Sequence, residues 1–302
     1  MSKRVIILGK SGFIGGWLFK RFSEDKSFKV KGFSSQECNL LSLDSTEHAL
    51  SDLKRDDIVI MAAAVTRTKE NTFAAFLKNI QMAETVSRVL HDCPVRQLVY
   101  LSSIDVYGSL EKKFNIQKKR ISECGKPNPD DYYAMAKVTS EFLLQSQLTK
   151  NHTALSILRL PGVYGPGDGG QSLIGQFIRS MTQEGKVSIF GDGGDRRDYL
   201  YVDDVYRIVK EAIRIRFDGI LNAVSTKSTS VLEIAQLIKF LSGCECAITF
   251  EPVKDKENER IKNMRVSNSL LQRTFPDFRF RELAQGISVY LKFFSTQKIV
   301  TV

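Results

Sequence analysis

The chain has 302 residues, of which 42% are hydrophobic and 26% charged, the balance of a globular protein with room for one large domain or two smaller ones. Its longest apolar run, Ile58 to Val65, falls far short of the roughly 20 residues that cross a bilayer, and the residues before Gly9 are too few for a signal peptide, so a cytoplasmic location without membrane contact is expected. The formal charge of +10 is scattered apart from KKFNIQKKR at 112–120, which reads as a solvated loop, and no nucleic-acid motif accompanies it.

In chain order, short branched apolar runs alternate with longer amphipathic ones. The pattern predicts a strand at Val5–Leu8, a helix over Phe13–Phe22, a strand at Val30–Phe33, a helix around Ser45–Leu53 and a strand at Ile58–Ala62. A helix near Ala74–His91, a strand at Gln97–Leu101, a helix over Tyr132–Leu148 and a strand at Leu155–Leu160 follow. Alternation of this kind with fully apolar strands implies an α/β fold: a doubly wound, Rossmann-like parallel sheet covered by helices on both faces. Ligands then bind beyond the carboxyl ends of the strands. After Leu160 the texture changes to PGVYGPGDGG, a helix near Ile174–Glu184 and the run SIFGDGGDRRDYLYVDDV. We therefore expect a dinucleotide-binding domain over 1–164, which a segment near 203–224 rejoins, and a smaller C-terminal substrate domain over 165–302. Five cysteines without a CxxC pair and three scattered histidines give no metal-ligand spacing.

Strand Val5–Leu8 runs into Gly9-Lys10-Ser11-Gly12-Phe13-Ile14-Gly15 and then a helix. Glycines here permit a tight turn, close approach of a pyrophosphate, and helix packing against the strand, with the helix N-terminus facing the anion. An acid about 20 positions on would hold the ribose of NAD; no acid sits at the end of the second strand, and Glu37 is the first carboxylate after it. Ser34, Ser35 and Lys10 could instead receive a 2′-phosphate. That points to NADP, with NAD held through Glu37 or backbone contacts as the alternative.

Ser102 and Ser103 end the fourth strand, where a cofactor's reactive ring belongs. One crossover later, Tyr133 and Lys137 are four apart on a helix and share a face, while Tyr132 points elsewhere. At about 5 Å and an effective dielectric near 20, the ammonium favours the phenolate by about 3 kcal/mol. That would bring a phenol from about 10 toward about 8 and make Tyr133 an acid/base near neutral pH, with Ser103 bonding the same substrate oxygen. Alone, a YxxxK pair is more often an ordinary tyrosine and lysine on a helix. Only together with the other motifs, in their order and spacing, does the pair gain weight.

Taken in order, GKSGFIG (9–15), MAAAV (61–65), Asn79, SSIDVYG (102–108), YAMAK (133–137), LRLPGVYGPGD (158–168) and FGDGGDRRDYLYVDDV (190–205) resemble the extended short-chain dehydrogenase/reductase superfamily, in its nucleotide-sugar epimerase/dehydratase branch, over nearly the whole chain. The resemblance implies Tyr133 as acid/base, Lys137 on the nicotinamide ribose, Ser103 as hydroxyl partner, Gly9, Ser11, Gly12, Phe13, Ile14, Gly15, Ser34, Ala62 and Ala63 around an NADP or NAD cofactor, and Arg197 on a substrate diphosphate, where a guanidinium fork suits phosphate oxygens. A surface ion pair of Arg197 with Asp195 or Asp198 is the plainer reading. Asp203 and Asp204 are expected to cap the next helix. The resemblance also implies a homodimer through the helices near 74–91 and 132–148, whose alternating small and apolar residues fit intramolecular packing equally well.

Departures narrow the chemistry. Dehydratases of the branch carry an Asp-Glu pair after the hydroxyl residue; here those places hold Ile104 and Asp105. The cysteine and histidine of the GDP-fucose synthase type are matched by Asp105 and Gly167. Gly162 stands where many members have an asparagine on the substrate phosphate. The expectation is an NAD(P)-dependent nucleotide-sugar 4-epimerase or 4-ketoreductase. The alternatives are an NADPH-dependent reductase of another small carbonyl compound and a non-catalytic dinucleotide sensor, which would be expected to have lost the Tyr/Lys pair.

Overall fold

A computed structural model describes residues 2–108, 120–252 and 264–299; the basic run at 112–119 lies outside them. The elements follow in the order β1 (Lys3–Leu8), α1 (Phe13–Glu24), β2 (Phe28–Phe33), α2 (Leu43–Ala49), β3 (Ile58–Met61), α3 (Phe73–Asp92), β4 (Gln97–Ser103), α4 (Tyr132–Leu148) and β5 (Ala154–Leu160). Then come β6 (Gly162–Tyr164), α5 (Leu173–Arg179), β7 (Lys186–Phe190), β8 (Arg196–Arg197), β9 (Tyr199–Tyr201), α6 (Val202–Ile215), β10 (Gly219–Asn222), β11 (Thr229–Ser230), α7 (Val231–Ser242), β12 (Ala247–Glu251), α8 (Ser269–Thr274) and α9 (Leu283–Ile299).

Six strands form one sheet in the order β10-β5-β4-β3-β1-β2, every neighbouring pair parallel. The chain leaves β1 toward β2 on one side and returns through β3 on the other, so the winding reverses between β1 and β3. At such a reversal the flanking helices diverge and leave a crevice beyond the strands' carboxyl ends. β3, β4 and β5 are buried along their whole length, which is why they read as continuous apolar runs rather than alternating ones. Most helices start on a side-chain cap: Ser42 for α2, Thr72 for α3, Asp131 for α4, Ser172 for α5, and a Ser230/Glu233 capping box for α7. α1 differs, with Gly12 at its N-cap and no side-chain cap.

The chain divides into two compact units. The first comprises Met1–Gly108, Gly125–Leu160 and Val205–Ala223 and contains the six-stranded sheet. Its core packs Ile6, Leu8, Val59, Met61, Val86, Leu90, Leu98, Leu144 and Ile157 between sheet and helices. The second comprises the described parts of Ser109–Cys124, Pro161–Asp204 and Val224–Val302. It holds short strand pairs, β6 with β9, β7 with β12 and β8 with β11, over a core of Ile174, Phe177, Ile178, Ile189, Ile234, Ile238 and Ile287. There the glycine-rich stretch after β6 is pinned by the buried carboxylate of Asp168, which accepts from the Gly170 amide at 2.6 Å and from the hydroxyls of Ser172 and Tyr290.

Three expected elements are redrawn. α2 stops at Ala49 instead of Leu53, because the chain turns back on Asp57, whose carboxylate accepts from the Lys54 amide at 2.6 Å and from Arg4 Nε at 2.9 Å. β4 runs on to Ser103, so both serines belong to the strand. The helix expected through Glu184 is α5 followed by a π turn over Ser180–Glu184 that ends at Gly185, φ +67°. Asp203 and Asp204 lie inside the first turn of α6 rather than at its cap. Asp204 accepts from the Arg281 amide at 2.7 Å.

Candidate active site

The turn after β1 is built from glycines that a side chain would break. Gly9 has φ +95°, and a Cβ there would meet the Ala63 nitrogen at 2.8 Å; a Cβ on Gly15 would lie 2.1 Å from the Gly9 carbonyl oxygen. Only glycine tolerates both the left-handed backbone and the approach. Ala62 donates its amide to the Leu8 carbonyl at 3.0 Å, so the ends of β1 and β3 and the start of α1 meet at Gly9, Gly15, Ala62 and Ala63. Ser11 and Gly12 are exposed beside them, with Phe13 and Ile14 half-buried. A twelve-residue helix whose first amides have no side-chain cap, opening on a glycine cradle, fits the pyrophosphate of a dinucleotide.

At the end of β2 the carboxylate of Glu37 accepts from the Ser34 amide and hydroxyl, each at 2.7 Å, and from Lys10 Nζ at 2.7 Å. Lys10 first, and Ser34 after it, pull this exposed carboxyl down to about 2. Two of the three groups considered for a 2′-phosphate, Ser34 and Lys10, are thus held by Glu37.

Ser103 ends β4, buried, and its Oγ accepts from the Asp105 amide at 3.1 Å. Tyr133 and Lys137 lie one turn apart on α4, with Lys137 Nζ 5.7 Å from the centre of the Tyr133 ring and 4.7 Å from that of Tyr100. Tyr132 is exposed and packs edge-on against Phe73. Lys137 is 4% exposed and donates to the Leu101 carbonyl at 2.7 Å. Burial lowers its pKa to about 8, opposed by the charge of Glu141.

The phenol does not follow the sequence expectation of a lowered pKa. Burial, followed by the negative charge of Asp105, holds Tyr133 well above the usual tyrosine range, with Asp131 adding to the rise and Arg67 acting against it. Loss of water around the phenolate outweighs an ammonium whose own charge is desolvated and turned to a backbone carbonyl.

Two groups of residues escaped the sequence reading. Arg67, on the loop from β3 to α3, reaches Asp105 at 3.3 Å and Asp131 at 3.2 Å. The loop is tied down at both ends: Asn79 bonds both the amide and carbonyl of Val65, at 2.8 and 3.0 Å, and Asn71 accepts from the Tyr133 amide at 3.2 Å. Behind Lys137, Glu141 forms a bidentate pair with Arg159 of β5 at 2.6 and 3.0 Å and accepts from Ser102 at 2.5 Å. Arg159 also donates to the Tyr107 hydroxyl at 2.8 Å. An arginine in a polar TRTKEN stretch reads as surface, and only the i, i+4 spacing of Lys137 and Glu141 could have pointed to the second group.

In the other unit, Arg197 lies on β8, exposed, and makes no ion pair among the described residues. Asp198 is engaged by the Ser225 hydroxyl at 2.7 Å and the Thr226 amide at 2.6 Å. Among the described residues no cluster of metal-ligand type occurs, and no helix is long and apolar enough to cross a membrane.

A sequence model of the NAD dependent epimerase/dehydratase family matches residues 5–221. The chain is 26% identical over 263 residues to the GDP-6-deoxy-D-talose 4-dehydrogenase of Aggregatibacter actinomycetemcomitans, covering 85% of this chain and 83% of that protein. It is 24% identical over 289 residues to the human dTDP-D-glucose 4,6-dehydratase, covering 87% and 81%. The fold superposes on the Thermotoga maritima UDP-glucose 4-epimerase, solved with UDP-glucose, with a TM-score of 0.85 at 20% identity over 98% of this chain and all of that one.

Proposed function

This chain belongs to the NAD dependent epimerase/dehydratase family, of the extended short-chain dehydrogenase/reductase type, and from that premise we propose that it is a nucleotide-sugar 4-epimerase or 4-ketoreductase. The observation that carries the reading is the presence, in one compact unit, of a glycine cradle after β1, the Ser103 hydroxyl at the end of β4, and Tyr133 with Lys137 on α4. In this reading Met1–Gly108 and the segments packed with it bind the dinucleotide and the second unit binds the nucleotide sugar.

Gly9, Ser11, Gly12, Phe13, Ile14 and Gly15, with Ala62 and Ala63 beside them, would hold the dinucleotide, and Lys137 its nicotinamide ribose. When bound, the nicotinamide supplies a hydride acceptor or donor for a sugar carbon. Tyr133 Oη takes or returns the proton of the sugar hydroxyl, and Ser103 bonds the same oxygen. Arg197 offers a fork to the diphosphate. Ile104 can neither give nor take a proton, which leaves Asp105 without the second carboxyl that dehydration needs. Whether the step runs once or out and back separates a reductase from an epimerase.

Glu37 supports NAD over NADP, the reverse of the expectation from sequence. A 2′-phosphate would have to displace its carboxylate from Lys10 and Ser34 and would bring further negative charge beside it. The exposed apolar side chains Phe73 and Leu77 of α3 and Tyr132, Met135 and Phe142 of α4 support a homodimer through these two helices.

Tyr133→Phe tests the assignment. Turnover of nucleotide sugars is expected to fall by at least about a hundredfold, the lower end of general acid/base contributions, with cofactor affinity retained; wild-type rates would refute it.

A further inference from the structure

We propose that Arg67 is a positioning residue for Tyr133: its guanidinium, held between Asp105 and Asp131, balances those two carboxylates beside the phenol and thereby sets the pH range in which Tyr133 can take a proton. The inference rests on Tyr133 as acid/base and names the charge arrangement that makes that role workable.

The charged and titratable groups that act on the phenol come from several elements. α4 supplies Lys137, 5.7 Å from the ring centre, and Asp131 at its N-cap. The turn after β4 supplies Asp105, β4 supplies Tyr100, and the loop after β3 supplies Arg67. Glu141, behind Lys137, is occupied by Arg159. Without Arg67, two carboxylates would face the phenol against the single, desolvated charge of Lys137, and a phenolate forming there would be repelled.

The position is built. Asn79 fixes the start of the Arg67 loop, Asn71 ties its end to the Tyr133 amide, and Asp131 divides its oxygens between the Ala134 amide at 2.8 Å and Arg67. One guanidinium thus links the turn after β4 to the cap of the helix that carries Tyr133. A surface arginine placed for solubility would not join two carboxylates from separate elements.

The test is the pH profile of kcat/KM in the oxidative direction, where activity rises as Tyr133 becomes able to accept a proton. Removing a positive charge raises the phenol's pKa, so in Arg67→Gln the acid limb is expected to move up by about one pH unit. Arg67→Lys is expected to restore most of the shift. Asp105→Asn is expected to move the limb down, and the double variant Arg67→Gln/Asp105→Asn to lie near the wild type. A limb that stays in place in Arg67→Gln, or a lysine variant that behaves like the glutamine one, overturns the proposal. An active Tyr133→Phe enzyme would instead overturn the acid/base assignment on which it rests. A second measurement needs no substrate: with NAD added, the tyrosine ring-carbon resonance that disappears in Tyr133→Phe is expected to titrate at higher pH in Arg67→Gln than in the wild type, and equal titration also overturns the proposal.

Discussion

Glu37 bears on the proposed choice of NAD over NADP through its contacts with Lys10 and Ser34. It follows β2 by four residues, yet its carboxylate returns to the Ser34 amide and hydroxyl and takes Lys10 from the glycine turn. The sequence reading saw Ser34, Ser35 and Lys10 as free to receive a phosphate, because the return of Glu37 to Ser34 and Lys10 depends on how the chain turns after the strand. In Glu37→Gln the charge that opposes a 2′-phosphate is gone while the size is kept. The ratio of kcat/KM for NAD to that for NADP is expected to fall by about tenfold or more, since about 1.4 kcal/mol of relieved repulsion corresponds to that factor; an unchanged ratio would remove Glu37 from cofactor selection. Tyr133 carries the opposite lesson. Its partner Lys137 was legible from a four-residue spacing, but the direction of the Tyr133 pKa was not, because its burial and the carboxylate of Asp105 come from residues far away in sequence.

Among the elements, the β1–α1 turn is the most tightly specified. Strand, glycines and helix were all readable in order, since a short apolar run, a turn requiring positive φ and an amphipathic periodicity are local properties. What could not be read was how little space remains. A Cβ on Gly15 would stand 2.1 Å from the Gly9 carbonyl oxygen, and the whole turn would have to shift. Gly15→Ala is therefore expected to cost about 1–3 kcal/mol of stability, as overpacked sites do, and to weaken dinucleotide binding; thermal unfolding with and without NAD measures both. Stability and NAD response equal to wild type would show that the cradle is looser than these distances. α4 was placed from Tyr132 to Leu148 by periodicity alone, as observed, whereas the end of α2 moved because Asp57 draws the following residues away from the helix.

For the whole molecule, the exposed row on α3 and α4 is the feature that bears on assembly. Phe142 is 73% exposed and Phe73 57%, large apolar side chains that water disfavours and that a second copy would cover. The pair of substitutions Leu77→Glu and Phe142→Glu is expected to convert a dimer into a monomer in sedimentation velocity at equal concentration. A wild-type monomer would exclude association through these helices. The α/β architecture itself was legible throughout, from fully apolar strands alternating with amphipathic helices. The order of those strands in the sheet was not, because hydrogen bonding between parallel strands joins residues that are distant in the chain.

What the sequence determined by itself is what nearest neighbours along the chain decide: which segments are strands and helices, where only glycine can turn, and that Tyr133 and Lys137 look the same way. The tertiary structure alone decided that Arg67 stands between Asp105 and Asp131, that Glu141 faces Arg159, and that the phenol sits among desolvated groups. Electrostatic energies depend on separations in space and on exclusion of water, and both are set by all the packed elements together, so no local pattern of residues encodes them.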